Sequence, residues 1–247
     1  MTMSKPLVVV SCAVLKDLLG KRLPEGVPAV WLDVMLHNTP KKLAAAVQES
    51  IDALAQPSTV LIGYGLCGNG LAGIKARAHT LVIPRTHDCV AIFLGSHQRY
   101  VQRFFASPNT YYLTKGWIDA RDEPLADYQD YVKEFDEETA DYLFEMKYKH
   151  YRKICLVGFC QQELDDYRGR AQAVVDFMAK RFGGVVLEET LGSTALIEAM
   201  LRRPMHPGET DEEFVIVGPG GETTQDLFMR SGECAPQVCG RGEKVTG

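Results

Sequence analysis

The sequence runs to 247 residues, of which 46% are hydrophobic, 24% charged and 9% aromatic. This ordinary globular balance excludes disorder, collagen-like repeats and coiled coil, and the length suits one large or two small domains. Twenty-seven Lys and Arg against 32 Asp and Glu leave a formal net charge of -5, which argues against nucleic acid as a partner.

No apolar run approaches the roughly 18 residues that suggest a membrane span, and the stretch from Met1 to Lys5 is too short for a secretory leader. The expectation is a cytoplasmic protein. In that setting seven cysteines are core residues, metal ligands or reactive thiols rather than a disulfide framework.

Leu7 to Ser11 is a β-branched run that predicts a buried parallel strand, as does Thr59-Val60-Leu61-Ile62-Gly63. Between them Ala29 to Leu32 predicts a strand. Pro40 to Ala55 predicts a helix, with Leu43, Val47, Ile51 and Leu54 at helical spacing, Thr39 as N-cap and proline in the first position. Thr80 to Ile83 predicts a strand, about Asp88 to Phe105 a helix, and Thr110 to Leu113 another strand. Pro124 to His150, acidic and aromatic, reads as a long amphipathic helix with room for one break, which meets solvent or bridges two halves. The alternation then resumes: strand Ile154 to Gly158, helix from about Glu163 to Arg181, strand Val185 to Glu188, helix Thr194 to Arg202, strand Phe214 to Val217.

This order predicts an α/β fold with Rossmann-like parallel sheet layers, and its outline suggests two similar βαβαβ halves facing a cleft. The expected division is an amino-terminal half over 1–123, a connecting helix over 124–150, and a carboxyl-terminal half with a Gly-rich tail over 151–247. The tail carries Cys234 and Cys239, spaced for a metal clip but without a second pair nearby.

Ligands of open α/β sheets bind beyond the carboxyl ends of the strands, and soft ligands gather there. Cys12 follows the first strand. Cys67 lies within Gly-Tyr-Gly-Leu-Cys-Gly-Asn-Gly after Gly63, and His87 and Cys89 lie within Pro-Arg-Thr-His-Asp-Cys after Ile83. Cys67, His87 and Cys89, with Cys12 as fourth ligand or nearby thiol, have the donor types of a Zn²⁺ site. Iron or an iron–sulfur cluster competes, because thiolates hold those too. The structural alternative is that some of these cysteines simply fill core.

Gly65, Gly68, Asn69 and Gly70 form a loop on which a ligand's polar groups can rest. Gly63 to Gly68 matches G-x-G-x-x-G by letter, but no acidic ribose partner follows some 20 residues on. Arg85 is a candidate anion clamp. Asp88 is a candidate acceptor for an imidazole N–H or a charge for a helix amino terminus. Ser193, where a helix opens, and Gly220, after the last strand, offer amides to phosphate or carboxylate groups. Lys115-Gly116-Trp117 can wall the pocket.

Taken in order, Ser11-Cys12, His37-Asn38-Thr39-Pro40-Lys41-Lys42-Leu43, the Gly-Leu-Cys67-Gly-Asn-Gly block, His87-Asp-Cys89, Leu94-Gly-Ser96 with Arg99-Tyr100, and Tyr111 to Ile118 resemble a bacterial and archaeal family. It is catalogued as domain of unknown function number 1638, and the resemblance spans roughly 7–210. Cys160, Cys234 and Cys239 stand outside the pattern. Family members are often encoded near corrinoid-dependent methylamine and betaine methyltransferases, which implies one-carbon metabolism and a corrinoid protein or methyltransferase as partner.

The leading expectation is a metal-dependent enzyme, zinc first and iron second, that transfers a methyl or other small group from a small-molecule substrate. The alternatives are a metal or cofactor carrier that catalyses nothing, and a metal-free enzyme with Cys67 or Cys89 as nucleophile and His87 as base. Self-association is left open.

Overall fold

A computed structural model describes residues 5–202 and 212–230. The chain opens with β1 (Leu7–Cys12), a 3-10 turn, α1 (Lys16–Gly20) and β2 (Ala29–Leu32). It continues through α2 (Pro40–Asp52), β3 (Thr59–Gly63) and β4 (Thr80–Pro84). Next come α3 (Val90–Leu94), α4 (His97–Ala106), β5 (Thr110–Thr114) and α5 (Lys115–Asp119). Then follow α6 (Pro124–Glu134), α7 (Glu137–Tyr148), β6 (Lys153–Gly158), α8 (Gln161–Phe182), β7 (Val186–Leu191), α9 (Ala195–Arg202) and β8 (Phe214–Val217). No helix among the described residues is long and apolar enough to cross a membrane.

The α/β class with parallel layers holds. One sheet has the order β2-β1-β3-β4-β8 and a second the order β5-β6-β7. Every pairing is parallel except that β8 runs antiparallel to β4, from Leu81↔Val217 to Pro84↔Phe214. The strands are therefore not shared out as two equal βαβαβ halves. β5, ahead of residue 123, pairs with β6, and β8, near the end of the described chain, returns to the first sheet. The physical reason is that a short apolar run such as Phe-Val-Ile-Val carries no signal for its partner or direction.

The two layers share a strand's two faces. In β6, Cys155 and Val157 join the apolar core of the first sheet, while Ile154 and Leu156 join that of the second, as the two-residue period of a strand requires. β3 and β4 are buried at every residue, the pattern of inner parallel strands covered on both faces. α2 lays Leu43, Val47 and Ile51 on the first core, with proline at its start. Thr39 occupies the cap position without a side-chain hydrogen bond.

Two expected helices are split. The helix over Asp88 to Phe105 breaks at Gly95, which is left-handed at φ 75°, and Ser96 restarts it by accepting the Arg99 N–H at 3.3 Å. The acidic stretch breaks once, where Asp136 caps α7 through the Thr139 N–H at 2.9 Å. Each cap satisfies amides that a helix start leaves open, at about 1 kcal/mol apiece.

Candidate functional site

The parallel register sets β1, β3 and β4 side by side, so their carboxyl ends open on one edge of the first sheet. Cys12 is the last residue of β1 and is buried. Beyond β3 and β4 the two chains stay hydrogen-bonded: Leu66 N–H donates to Thr86 O at 2.8 Å and Cys67 N–H to His87 O at 3.1 Å. That extension draws two sulfurs together. Cys67 Sγ and Cys89 Sγ lie 3.1 Å apart, and the Gly65 N–H points at Cys89 Sγ at 3.4 Å. Only glycine permits the approach at 65, where a Cβ would stand 2.8 Å from the Asp88 backbone carbon.

Cys67, Gly68 and Asn69 have φ of 46°, 61° and 71°. Left-handed backbone is unfavourable for Cys and held there only by its surroundings. The loop rests on α2, for a Cβ at Gly70 would come 2.7 Å from Leu43 Cδ2. Cys67 is half-buried, whereas Cys89 and Cys12 are buried.

The electrostatics follow from dryness. Burial, with the neighbouring charge of Cys89, pushes the Cys12 thiol up to about 12 against an ordinary 9.0. Cys89 is raised well above that range, first by its hydrogen bond to Cys67 and then by burial. Tyr64, flanked by Gly63 and Gly65, is 1% exposed, and its hydroxyl is buried without a hydrogen bond of good geometry. The charges of Cys12, Cys89 and Cys67 all act on that phenol, and burial raises its pKa.

The remaining candidates are placed as follows. His87 is buried with its ring edge-to-face against His97, the centroids 5.2 Å apart. Among the described residues no group of three or more His, Cys, Asp or Glu side chains is placed to hold a metal ion. The four expected ligands are thus resolved into a sulfur pair, Cys67 and Cys89, with Cys12 close enough for its charge to be felt and the His87 ring turned to another imidazole. Asp88 takes the second of its two expected roles: Oδ1 accepts the Val90 N–H at 2.8 Å at the start of α3. Desolvation raises its carboxyl, while that N–H and His37 act in the opposite sense.

Arg85 reaches the carbonyl of Met229. Ser193 Oγ accepts the Ala195 N–H at 3.2 Å, and its own N–H donates to Phe93 O at 2.9 Å. The Gly220 N–H donates to Arg77 O at 2.7 Å. Both amides already have acceptors. Gly116 of the Lys115-Gly-Trp segment does come up to the edge, since a Cβ there would stand 2.6 Å from Val14 Cγ2, two residues past Cys12. Cys160 is exposed at the start of α8, and Cys234 and Cys239 lie outside the described residues.

Sequence reading assigned no role to His37 or Asp122. His37 Nδ1 stands 2.7 Å from Val34 O, which can only accept, so that nitrogen carries a proton. Nε2 faces Asp122 Oδ2 at 3.5 Å. Burial raises the Asp122 carboxyl, against His37, Lys147 and Asn38. The charge of Asp122 acts on Cys12 and that of His37 on Asp88. The only signal for His37 in the sequence was its place in a recognisable block, and nothing local pointed to Asp122. Tyr64 was legible in principle as a bulky residue between two strand-end glycines.

No curated protein and no solved structure matches the chain. A family described as "Protein of unknown function (DUF1638)" matches over residues 31–201, a span that encloses His37, Tyr64, Cys67, His87, Cys89 and Asp122. The match covers well over half of the chain, which therefore belongs to the DUF1638 family.

Proposed function

We propose that the protein is a thiol-dependent enzyme of small-group transfer, with Cys67 as its reactive sulfur and Cys89 as the group that controls it. The observation that carries this reading is the 3.1 Å contact between a half-buried and a buried sulfur at the carboxyl edge of the first sheet. A reactive cysteine must be reachable, and Cys67 is half-buried with a second sulfur in contact. Methyl transfer in one-carbon metabolism, in the cytoplasm and alongside a corrinoid protein or methyltransferase, is the setting proposed for this chemistry.

A second reading is a soft-metal site, zinc first and iron second, to which the Cys67 and Cys89 pair would supply two thiolates. The buried Tyr64 hydroxyl favours it, because a polar atom within electrostatic reach of three sulfurs suits a bound ion or its ligand. A cation would also reverse the effect of burial on the thiols.

The deciding experiment is alkylation of the reduced protein by iodoacetamide with peptide mapping, beside metal analysis of wild type and Cys67→Ser purified without oxygen or chelators. The thiol reading expects Cys67 to be alkylated ahead of Cys12 and Cys89, in protein without stoichiometric metal. Stoichiometric zinc or iron, lost in Cys67→Ser, would overturn it in favour of the second reading.

A further inference from the structure

We propose that Cys67 and Cys89 form a reversible disulfide that switches this site off, Cys67 being the sulfur attacked or attacking first and Cys89 the one that resolves. The inference rests on the thiol reading above and adds a regulation to it.

Three observations lead there. The sulfurs are already in contact at 3.1 Å, and a covalent S–S bond of about 2.0 Å asks for a closure of only about 1 Å. Their accessibility is unequal: Cys67 is half-buried and Cys89 buried, with its sulfur facing Cys67 and the Gly65 N–H. A reagent in solution therefore meets Cys67 first. Finally, Cys67 stands in a run of three left-handed residues that contains Gly68 and is followed by Gly70. Such a segment can absorb a small change of backbone torsion that a strand interior cannot.

A small-molecule disulfide of the glutathione type supplies the oxidant. The Cys67 thiolate attacks one of its sulfurs, the reagent's S–S bond breaks, and one small thiol leaves with the electron pair and takes a proton. The Cys89 thiol then attacks the Cys67 sulfur of the mixed disulfide; the second small thiol leaves with the electron pair and takes the proton that Cys89 gives up. Two protein thiols are oxidised and one small disulfide is reduced to two thiols.

The test uses the full chain carrying Cys160→Ser, Cys234→Ser and Cys239→Ser, treated with oxidised glutathione and followed by intact mass and peptide mapping. The expected result is a transient glutathione adduct on Cys67, then loss of two hydrogens with the Cys67 and Cys89 peptides linked, reversed by dithiothreitol. Cys89→Ser should stop at the adduct, and Cys67→Ser should leave Cys89 unmodified.

A lasting adduct on Cys67 in the chain that retains Cys89, a link through Cys12, reaction of Cys89 in the Cys67→Ser variant, or no reaction at all would each overturn the proposal. If either variant fails to fold by near-ultraviolet circular dichroism, the time course of adduct and link in the chain retaining both cysteines decides alone. A parallel sample treated with iodoacetamide separates the two readings. Fast alkylation of Cys67 without disulfide formation sinks the switch and spares the thiol enzyme, whereas inertness to both reagents sinks both.

Discussion

Cys89 and Cys155 are both buried cysteines in parallel-sheet layers, yet they live in opposite surroundings. Cys155 sits in the middle of β6, with Arg103 Nη2 at 3.3 Å and Glu188 Oε1 at 3.8 Å, and Glu188 is in turn paired with Lys153 at 2.8 Å. Cys89 has a second sulfur and one backbone N–H. The first is locked in a hydrogen-bonded ladder beside a half-exposed ion-pair network. The second is on a strand-end turn, where the chain leaves the ladder and side chains from neighbouring strands can meet. The same contrast separates the layers: β3 and β4 are buried throughout, whereas β7 is exposed or half-buried along its length. The inner strands of the first sheet are dry, and β7 of the second is partly solvated.

Leu61→Ala, at the fully buried centre of β3, should cost about 2–5 kcal/mol by leaving a cavity. Leu191→Ala, at an end of β7 that is 53% exposed, should change stability by no more than about 0.5 kcal/mol. Urea denaturation of the two variants measures this, and equal losses would break the contrast. Glycines give the next test. A Cβ at Gly63 would stand 2.7 Å from Ser11 Cβ, so Gly63→Ala should cost about 1–3 kcal/mol through overpacking. Gly169→Ala in α8, where nothing lies within 4 Å, should add up to about 1 kcal/mol through helix propensity. A stability change of the same sign in both variants would sink that reading of the close approach.

Alkali probes the thiols of both layers. Burial pushes the folded Cys12 and Cys155 thiols up to about 12, against 9.0 ordinarily, so the unfolded chain ionises first. Their contribution to stability is full below pH 9.0 and is lost as pH rises toward about 12. Urea midpoints across this range should fall, and less steeply in Cys12→Ala or Cys155→Ala. A slope unchanged by either substitution would contradict the assignment. The smallest effect belongs to Glu188→Gln, which removes half-exposed ion pairs to Arg103 and Lys153, each worth less than about 1 kcal/mol. Hydrogen bonding by Lys153 and then Arg103 holds the Glu188 carboxyl below its ordinary 4.5. That contribution is present above pH 4.5 and lost as pH falls through the lowered value, and added salt should shrink the difference between wild type and variant.

Much of the fold was legible because strands buried on both faces announce themselves. Thr59–Gly63 and Phe214–Val217 match their expected bounds, since continuous β-branched and aromatic runs leave little choice of local structure. The helix breaks at Gly95 and Asp136 are of the kind a sequence also carries, in glycine and in capping residues. In the site, Cys67 and Cys89 were legible as residues just past strand ends. Their contact needed the tertiary structure, because it rests on loop hydrogen bonds from Leu66 to Thr86 and from Cys67 to His87.

The sequence by itself determined an α/β chain, its local elements and the edge where its sulfurs collect, because periodicity, caps and glycines act over a few residues. Only the tertiary structure decided that β8 closes the first sheet, that β5 opens the second, that His87 turns to His97, and that His37 meets Asp122. Those are choices between partners distant in the chain, made by which surfaces bury best against one another, and no local pattern encodes them.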